Sequence, residues 1–459
     1  MTVSGHSGEL AMTALGQWGV SEIFTLSGGH VFPIYDACVK TGVRIVDVRH
    51  EQSAVFAAEA VAKLARRPGV AVLTAGPGVT NGISAITTAQ FNGSPILIVG
   101  GRAPQGRWGS GSLQEIDHLP IVDSITKFAA TAKSPQEVFT LLSQAATQAS
   151  TPSRGPAFVD IPIDVIFSSG EIEGSENRKT KEDVVLISGQ QPDTDRISDA
   201  VTILSNSSRP ALIAGGDVWM GRAEMQLKTL VENQIIPTFM NGQGRGCLPA
   251  DHELAFSRTR PALKECDVVC VVGTPLDFRL SFGSFGGAQV IHVVDSTAKR
   301  ATHATTAVSI EGDLATCLHL LVEGLEGSFT GSRATERREW VSSLRDRETS
   351  ARQVEKPLLE SSSNPIHPMR IFGELAKAVD RDAIVIGDGG DFVSFAGKLV
   401  ESYNPGCWLD PGPYGCLGTG LGYIAGARIV HPDRQIVALM GDGAFGFSAM
   451  DVDTLVRNQ

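Results

Sequence analysis

A surplus of positive charge is missing from this chain: 39 Lys and Arg stand against 50 Asp and Glu, a formal net charge of −11. Binding a nucleic-acid backbone needs a concentrated basic face, so this balance argues against a nucleic-acid partner. The densest basic cluster, Lys63 to Arg67, holds three cations and reads as a solvated helix face. Long apolar runs are lacking too. None reaches the roughly 18 residues that a membrane span requires. Met1-Thr-Val-Ser-Gly-His-Ser shows no basic region leading into an apolar stretch, so no signal peptide is expected and a cytoplasmic location is. Paired cysteine motifs are absent. Seven cysteines (Cys38, Cys247, Cys266, Cys270, Cys317, Cys407, Cys416) are scattered without a Cys-x-x-Cys, which suits reduced thiols. Cys266 and Cys270 bracket the start of an apolar run that fits a buried strand better than a metal site. Short-period repeats, coiled-coil heptads and low-complexity tracts are also missing.

Glycine, by contrast, is abundant: 50 of 459 residues, about 11% against a usual 7%. Such an excess favours α/β architecture, in which glycines let strand-to-helix turns approach a ligand. The length predicts about three domains. Short apolar strands (Glu22–Leu26, Arg44–Val48, Val70–Thr74, Pro95–Val99) alternate with Gly-containing turns and helical patterns. That alternation predicts parallel sheets, doubly wound, with helices on both faces. The polar stretch from Ser168 to Asp183 reads as a linker and Gly327 to Arg333 as a loop. A charged helix follows (Glu336–Glu355), then a Pro/Ser-rich connector from Pro357 to Pro368. These cuts predict domains at 1–167, 184–326 and 357–459, the third incomplete.

Two segments carry chemistry. Arg434 to Met440 reads as a buried strand running into Gly441-Asp442-Gly443-Ala444. There, backbone N–H groups can reach an anion and the carboxylate can hold a hard cation that bridges phosphates. Alone, Gly-Asp-Gly is an ordinary turn. Val46-Asp-Val-Arg49-His50-Glu51-Gln52 leads from a strand into the helix Ser53–Arg66, whose alanine-rich face suits close packing. A carboxylate in a helix's first turn is also what the helix dipole favours.

Taken together, Arg49-His-Glu51-Gln, Thr74-Ala-Gly76-Pro77-Gly78-Val-Thr-Asn81, Gly415-Cys-Leu417-Gly418 and Gly441-Asp442-Gly443 stand in the order and spacing of the thiamine-diphosphate (ThDP)-dependent enzymes. The chain resembles their acetolactate synthase-like branch most closely, over essentially its whole length. The resemblance implies an N-terminal pyrimidine-binding domain, a central domain and a C-terminal diphosphate-binding domain, with ThDP and Mg²⁺ as cofactors. It also implies a homodimer or homotetramer whose site lies between the first domain of one subunit and the third of its partner. In this family a buried glutamate beside the aminopyrimidine promotes loss of the thiazolium C2 proton, and Glu51 matches it. Leu417 matches the bulky residue that bends the cofactor. Asp388, Gly389 and Gly390 match the second turn that approaches the diphosphate, and Asp442 matches a metal ligand.

Gln114 matches a glutamine that borders the substrate in acetolactate synthases and benzaldehyde lyase. His30 departs from the acetolactate synthases and matches a proton-relaying histidine of benzaldehyde lyase, a role an imidazole suits near neutral pH. Pro162-Ile163-Asp164 lacks the lysine that acetolactate synthases carry between that proline and aspartate. In the central domain, Ser257 to Leu263 lacks the Gly-Met-His-Gly stretch that goes with FAD. That segment is more similar to the ADP-binding 2-hydroxyacyl-CoA lyases and oxalyl-CoA decarboxylases, which leaves FAD, ADP or no nucleotide open. Gly215, Gly216, Asp277, Arg279 and Asp295 would line such a site. The family's Gly441 motif closes with an asparagine that also binds the metal. Only 16 residues follow Gly443, and Asn458 comes too early for that role, so a fragment is expected. The reading is a carbon–carbon lyase or carboligase acting on 2-keto acids or 2-hydroxy ketones. Its alternatives are benzaldehyde lyase-like or 2-hydroxyacyl-CoA lyase-like cleavage, and an inactive fragment or non-catalytic dimerising partner.

Overall fold

The computed structural model describes residues 2–173, 178–184, 186–328 and 331–458. Its packing divides the chain into two compact units, one of residues 1–187, 386–392 and 411–459, the other of 188–385 and 393–410. The architecture is α/β with several parallel sheets, as the strand–helix alternation predicts.

In the first unit six strands lie in the order Arg44–Asp47, Glu22–Thr25, Gly69–Leu73, Ile96–Arg102, Ala157–Pro162 and Phe128–Thr131. Every pairing among them is parallel. The inner strands are continuously buried, which is why they read as unbroken apolar runs and not as an alternation. The second unit repeats the plan, with six parallel strands from Ala255-Phe256 at one edge to Val308–Glu311 at the other. A three-stranded sheet runs Trp408-Leu409, Ile384–Asp388, Ile436–Met440.

Several expectations need correction. The stretch taken as a linker contains a strand, Ser169–Glu173, paired antiparallel with Thr2–His6; residues 174–177 lie outside the described residues. The charged helix is longer than expected, Gly331–Leu359, and contains Pro357. Proline there removes only one hydrogen bond near the helix end, so the last turn tolerates it. The Lys63–Arg67 cluster is no solvated face: Lys63 and Arg67 are buried. Arg67 pairs with buried Glu22 at 2.6 Å, and Lys63 lies 3.6 Å from Glu59, so each cation is offset by a carboxylate. Cys270 sits inside the buried strand Val268–Val272, as expected, and all seven cysteines are free.

The helix Glu51–Ala65 packs on the helix Gly420–Val430 through small residues. A Cβ on Gly426 would fall 2.2 Å from the Ala57 carbonyl oxygen, and one on Gly422 would fall 2.7 Å from Phe56 Cβ. Buried Glu59 lies at the centre of this packing. Asn92 Nδ2 (2.8 Å), Ser94 Oγ (2.9 Å) and Tyr423 Oη (2.9 Å) all donate to it. Gly426→Ala should gain about 1 kcal/mol in helix propensity yet lose more to overpacking, typically about 1–3 kcal/mol. A lowered thermal midpoint is therefore expected, measurable by differential scanning fluorimetry. An unchanged or raised midpoint would mean that the two helices do not meet at this spacing.

Candidate active site

The residues named from the sequence for the thiamine-diphosphate site all fall in the first unit. Glu51 opens its helix after His50, whose imidazole Nδ1 accepts the Gln52 N–H at 3.2 Å as the N-cap. The Arg49 N–H and the Ser53 hydroxyl both donate to buried Asp451, at 2.8 and 2.5 Å, so the start of the helix is held from outside. The Glu51 carboxylate is itself buried. Asn81 Nδ2 donates to its Oε2 at 3.0 Å, while its Oε1 takes no hydrogen bond among the described residues.

Asn81 ends the short helix Pro77–Thr80, which follows Gly76. Gly76 has φ +58 and ψ −112, a conformation open to glycine, and a Cβ there would lie 2.9 Å from Gln114 Cβ. The expected substrate-side Gln114 therefore rests against this turn. It has a positive φ itself, +59. His30 is buried on the other side of the turn, with Nδ1 3.5 Å from Thr74 Oγ1. Burial pushes the His30 imidazole below its ordinary pKa, and nearby His118 adds to the depression. Its Nε2 makes no hydrogen bond among the described residues.

The glycine turns expected to hold a diphosphate are open. A Cβ placed on Gly390, Gly415, Gly441 or Gly443 would meet nothing within 4 Å, and Asp442 is exposed between the last two. Gly389 has φ +106 and faces the Gly441 backbone N at 3.1 Å from a would-be Cβ. Leu417 is half-buried, and the next residue, Gly418, meets Gln52 Nε2 at 3.1 Å in the same way. The start of the Glu51 helix and the Leu417 turn thus come close to each other in this chain. Ala444 is buried beneath the Gly441 turn.

Asp388 holds its turn from within. Its carboxylate is fully buried and accepts N–H groups from Gly418 (3.2 Å) and Gly420 (2.8 Å). Its carbonyl oxygen accepts from the Gly441 N–H at 3.1 Å. Burial pushes its pKa up, and those backbone donors oppose the rise. Asp388 ties three turns together and leaves their outer faces free.

The sequence reading missed a further group. His118 and Asp160 are both fully buried, with Nδ1 2.9 Å from Oδ2. His118 Nε2 accepts the Gly76 N–H at 3.1 Å. Asp160 also accepts from Arg102 Nη1 (2.8 Å) and Thr131 Oγ1 (2.6 Å). The signal available was Asp160 itself, a carboxylate inside an apolar strand, which must find partners. Asp164, which stands where no lysine precedes it, accepts N–H groups from Gln105 and Gly106, both at 2.9 Å.

In the second unit, Asp277 and Arg279 pair with each other (2.6 Å), and Lys299 bridges Asp217 (2.8 Å) and Asp295 (3.2 Å). A separate cavity of about 250 Å³ is lined by Arg245, Arg258, Arg260, Arg352 and Lys398 among others. Arg258 pairs with Glu355, whereas Arg260 donates to the Met240 carbonyl. Burial pushes Arg245 down to about 10, and only Asp410 pulls it back up.

The residues in hand fit a thiamine-diphosphate cofactor. A buried carboxylate has one oxygen to spare, and glycine turns beside an exposed aspartate leave room for a diphosphate. Comparison with known proteins agrees. Three family models match in chain order: the thiamine pyrophosphate enzyme N-terminal TPP binding domain over residues 6–121, the central domain over 197–321, and the C-terminal TPP binding domain over 388–459. The chain belongs to the thiamine pyrophosphate enzymes. Within them it is a homologue of acetolactate synthase. The acetolactate synthase large subunit of Mycobacterium tuberculosis and a probable acetolactate synthase of Mycobacterium bovis are each 48% identical over 456 residues, covering 99% of this chain and 81% of theirs. The 2-hydroxyacyl-CoA lyase 2 of Caenorhabditis elegans is 34% identical, covering 99% of this chain and 76% of its own. Among the described residues no helix is long and apolar enough to cross a membrane.

Proposed function

We propose that this enzyme joins 2-keto acids, with acetolactate-type synthesis as its reaction and the three stretches 1–167, 184–326 and 357–459 as its working parts. The observation that carries this reading is the 48% identity to acetolactate synthases across 99% of the chain. Thiamine diphosphate, when bound, supplies a nucleophilic carbon and an electron sink. Glu51 Oε1 holds a proton against the aminopyrimidine ring, and Asn81 keeps the other carboxylate oxygen in place. Gly389, Gly390, Gly415, Gly441, Gly443 and Ala444 form the diphosphate side of the site. Asp442 would hold the Mg²⁺ as a carboxylate ligand, and Leu417 would support the cofactor. Gly76, Pro77 and Gly78 line the pyrimidine side. His30 moves a proton to and from the substrate oxygen at its free Nε2, and Gln114 orients the substrate. A homodimer or homotetramer is part of this proposal, resting on the family resemblance alone. Incubation with pyruvate, ThDP and Mg²⁺ should yield acetolactate. Failure to form it from pyruvate would defeat this assignment.

A second reading, cleavage of 2-hydroxyacyl-CoA, is supported by the arginine-lined cavity in the second unit and by the C. elegans relative. It predicts an aldehyde and a formyl-CoA-type product from a hydroxyacyl-CoA, with little acetolactate.

His30→Ala should lower kcat by about 100-fold, the scale of general acid–base catalysis, with cofactor affinity held nearly constant. Because burial lowers the His30 pKa, the neutral imidazole persists to lower pH than in free histidine. An acidic limb governed by His30 should thus fall below the ordinary value of about 6.5 and vanish in the alanine variant. An acidic limb above that value would assign the titration to another group.

A further inference from the structure

His118 is a buried partner of Asp160, and its hydrogen bonds determine which nitrogen carries its proton. The Gly76 amide can only donate, so His118 Nε2 must be the acceptor. The imidazole proton then sits on Nδ1 and is donated to Asp160 Oδ2 at 2.9 Å. Asp160 is in turn held by Arg102 and Thr131. Arg102 lies 4.1 Å over the Trp108 ring and also pairs with Asp117, one residue before His118.

The turn this arrangement holds is the one the site depends on. Gly76 precedes the Pro77–Thr80 helix, the Thr80 N–H donates to the Gly76 carbonyl at 3.0 Å, and Asn81 at the end of that helix donates to Glu51. Gln114, four residues before His118, packs directly on Gly76. One imidazole thus sits where the Glu51 partner, the Gln114 loop and His30 converge.

We propose that His118, with its tautomer set by Asp160, is a positioning residue for the reaction. By accepting the Gly76 N–H it fixes the turn that aims Asn81 at Glu51 and seats Gln114. This rests on the assignment of Glu51 and Gln114 to a thiamine-dependent site. Removing the acceptor leaves the buried Gly76 N–H without the side-chain partner that holds it. Outer-shell partners that orient metal ligands cost about 10–100-fold in activity when lost, and a loss of the same order is expected here.

The experiment compares His118→Gln, whose amide oxygen can reach the position of Nε2, with His118→Leu, which fills space without an acceptor. Two readouts are taken: hydrogen exchange of the peptide spanning Gly76 on the cofactor-free protein, and kcat with ThDP, Mg²⁺ and pyruvate. His118→Leu should speed exchange at Gly76 at least about 10-fold and lower kcat about 10–100-fold, while His118→Gln stays near the parent in both. ¹⁵N chemical shifts of labelled histidine should show His118 Nε2 unprotonated in the parent. If Leu and Gln variants behave alike, whether both intact or both impaired, the hydrogen bond is not the operative feature and the proposal falls. A protonated Nε2 also overturns it. The exchange and tautomer measurements need no turnover. A parent protein without thiamine-dependent activity would therefore defeat the functional reading while leaving the His118 test standing.

Discussion

Glu51→Gln should leave thiamine diphosphate bound and turnover reduced by on the order of 10²–10⁴-fold, the range of a lost general acid–base step. The substitution keeps size and shape, so Asn81 Nδ2 can still donate to the retained side-chain oxygen and the start of the helix stays capped by His50. What disappears is a carboxylate oxygen able to exchange a proton. In the structure that oxygen, Oε1, has no partner of its own, so no neighbouring group among the described residues stands ready to replace it. Cofactor affinity from isothermal titration should change by no more than a few-fold, while hydrogen–deuterium exchange at the cofactor's C2 position should slow in step with kcat. If kcat in Glu51→Gln matches the parent, Glu51 is a buried helix-terminus carboxylate and the proton traffic lies elsewhere. If affinity falls as far as turnover, Glu51 acts in binding more than in chemistry.

How much of this was legible in the sequence depended on how local each feature is. The Glu51 helix, the Gly76-Pro77-Gly78 turn and the Gly441 turn each sit in one short segment, and their residue types announce a strand end followed by a helix or glycine turn. Long-range pairing is a different matter. His118 lies 42 residues from Gly76 and Asp160 a further 42 from His118, and the fold alone brings the three together. Asp388 illustrates the same limit. Its Gly-Asp-Gly-Gly setting predicts a turn that approaches the diphosphate but not where the side chain goes, which is inward to the Gly418 and Gly420 amides. A sequence motif fixes which backbone comes close to a ligand more readily than where its polar side chain points. Lys63 and Arg67 were misread because the carboxylates that neutralise them come from different places. Glu59 is one turn away, whereas Glu22 lies 45 residues back on a separate strand. The strand Ser169–Glu173 was hidden for a simpler reason: Ser-Gly-Glu-Ile-Glu has a single apolar residue, and its partner is the distant N-terminal strand.

Asp442→Ala should weaken thiamine-diphosphate binding in the presence of Mg²⁺ by on the order of 100-fold, since even outer-shell partners of a metal cost 10–100-fold when lost. The contrast with Asp388 makes this prediction sharp. Both aspartates stand in glycine turns beside the same backbone, but Asp388 is fully buried and satisfied by amides, whereas Asp442 is exposed with open space on Gly441 and Gly443. A hard cation prefers an oxygen ligand that remains free to reach it, and Asp442 alone of the two offers one. Loss of Asp442 should therefore leave folding almost unaffected, with a thermal midpoint near that of the parent in the absence of ligands. Asp388→Ala should instead destabilise the cofactor-free protein, because the buried Gly418 and Gly420 amides lose their common acceptor. Titrating Mg²⁺ at fixed ThDP separates the two effects. The Asp442 variant should need far more metal to reach the same occupancy, and thermal stabilisation by ThDP and Mg²⁺ together should disappear at concentrations that saturate the parent. If the Asp442 variant keeps its metal dependence and the Asp388 variant loses it, the metal-binding role belongs to Asp388, and the inward-facing carboxylate must turn around when the cofactor binds.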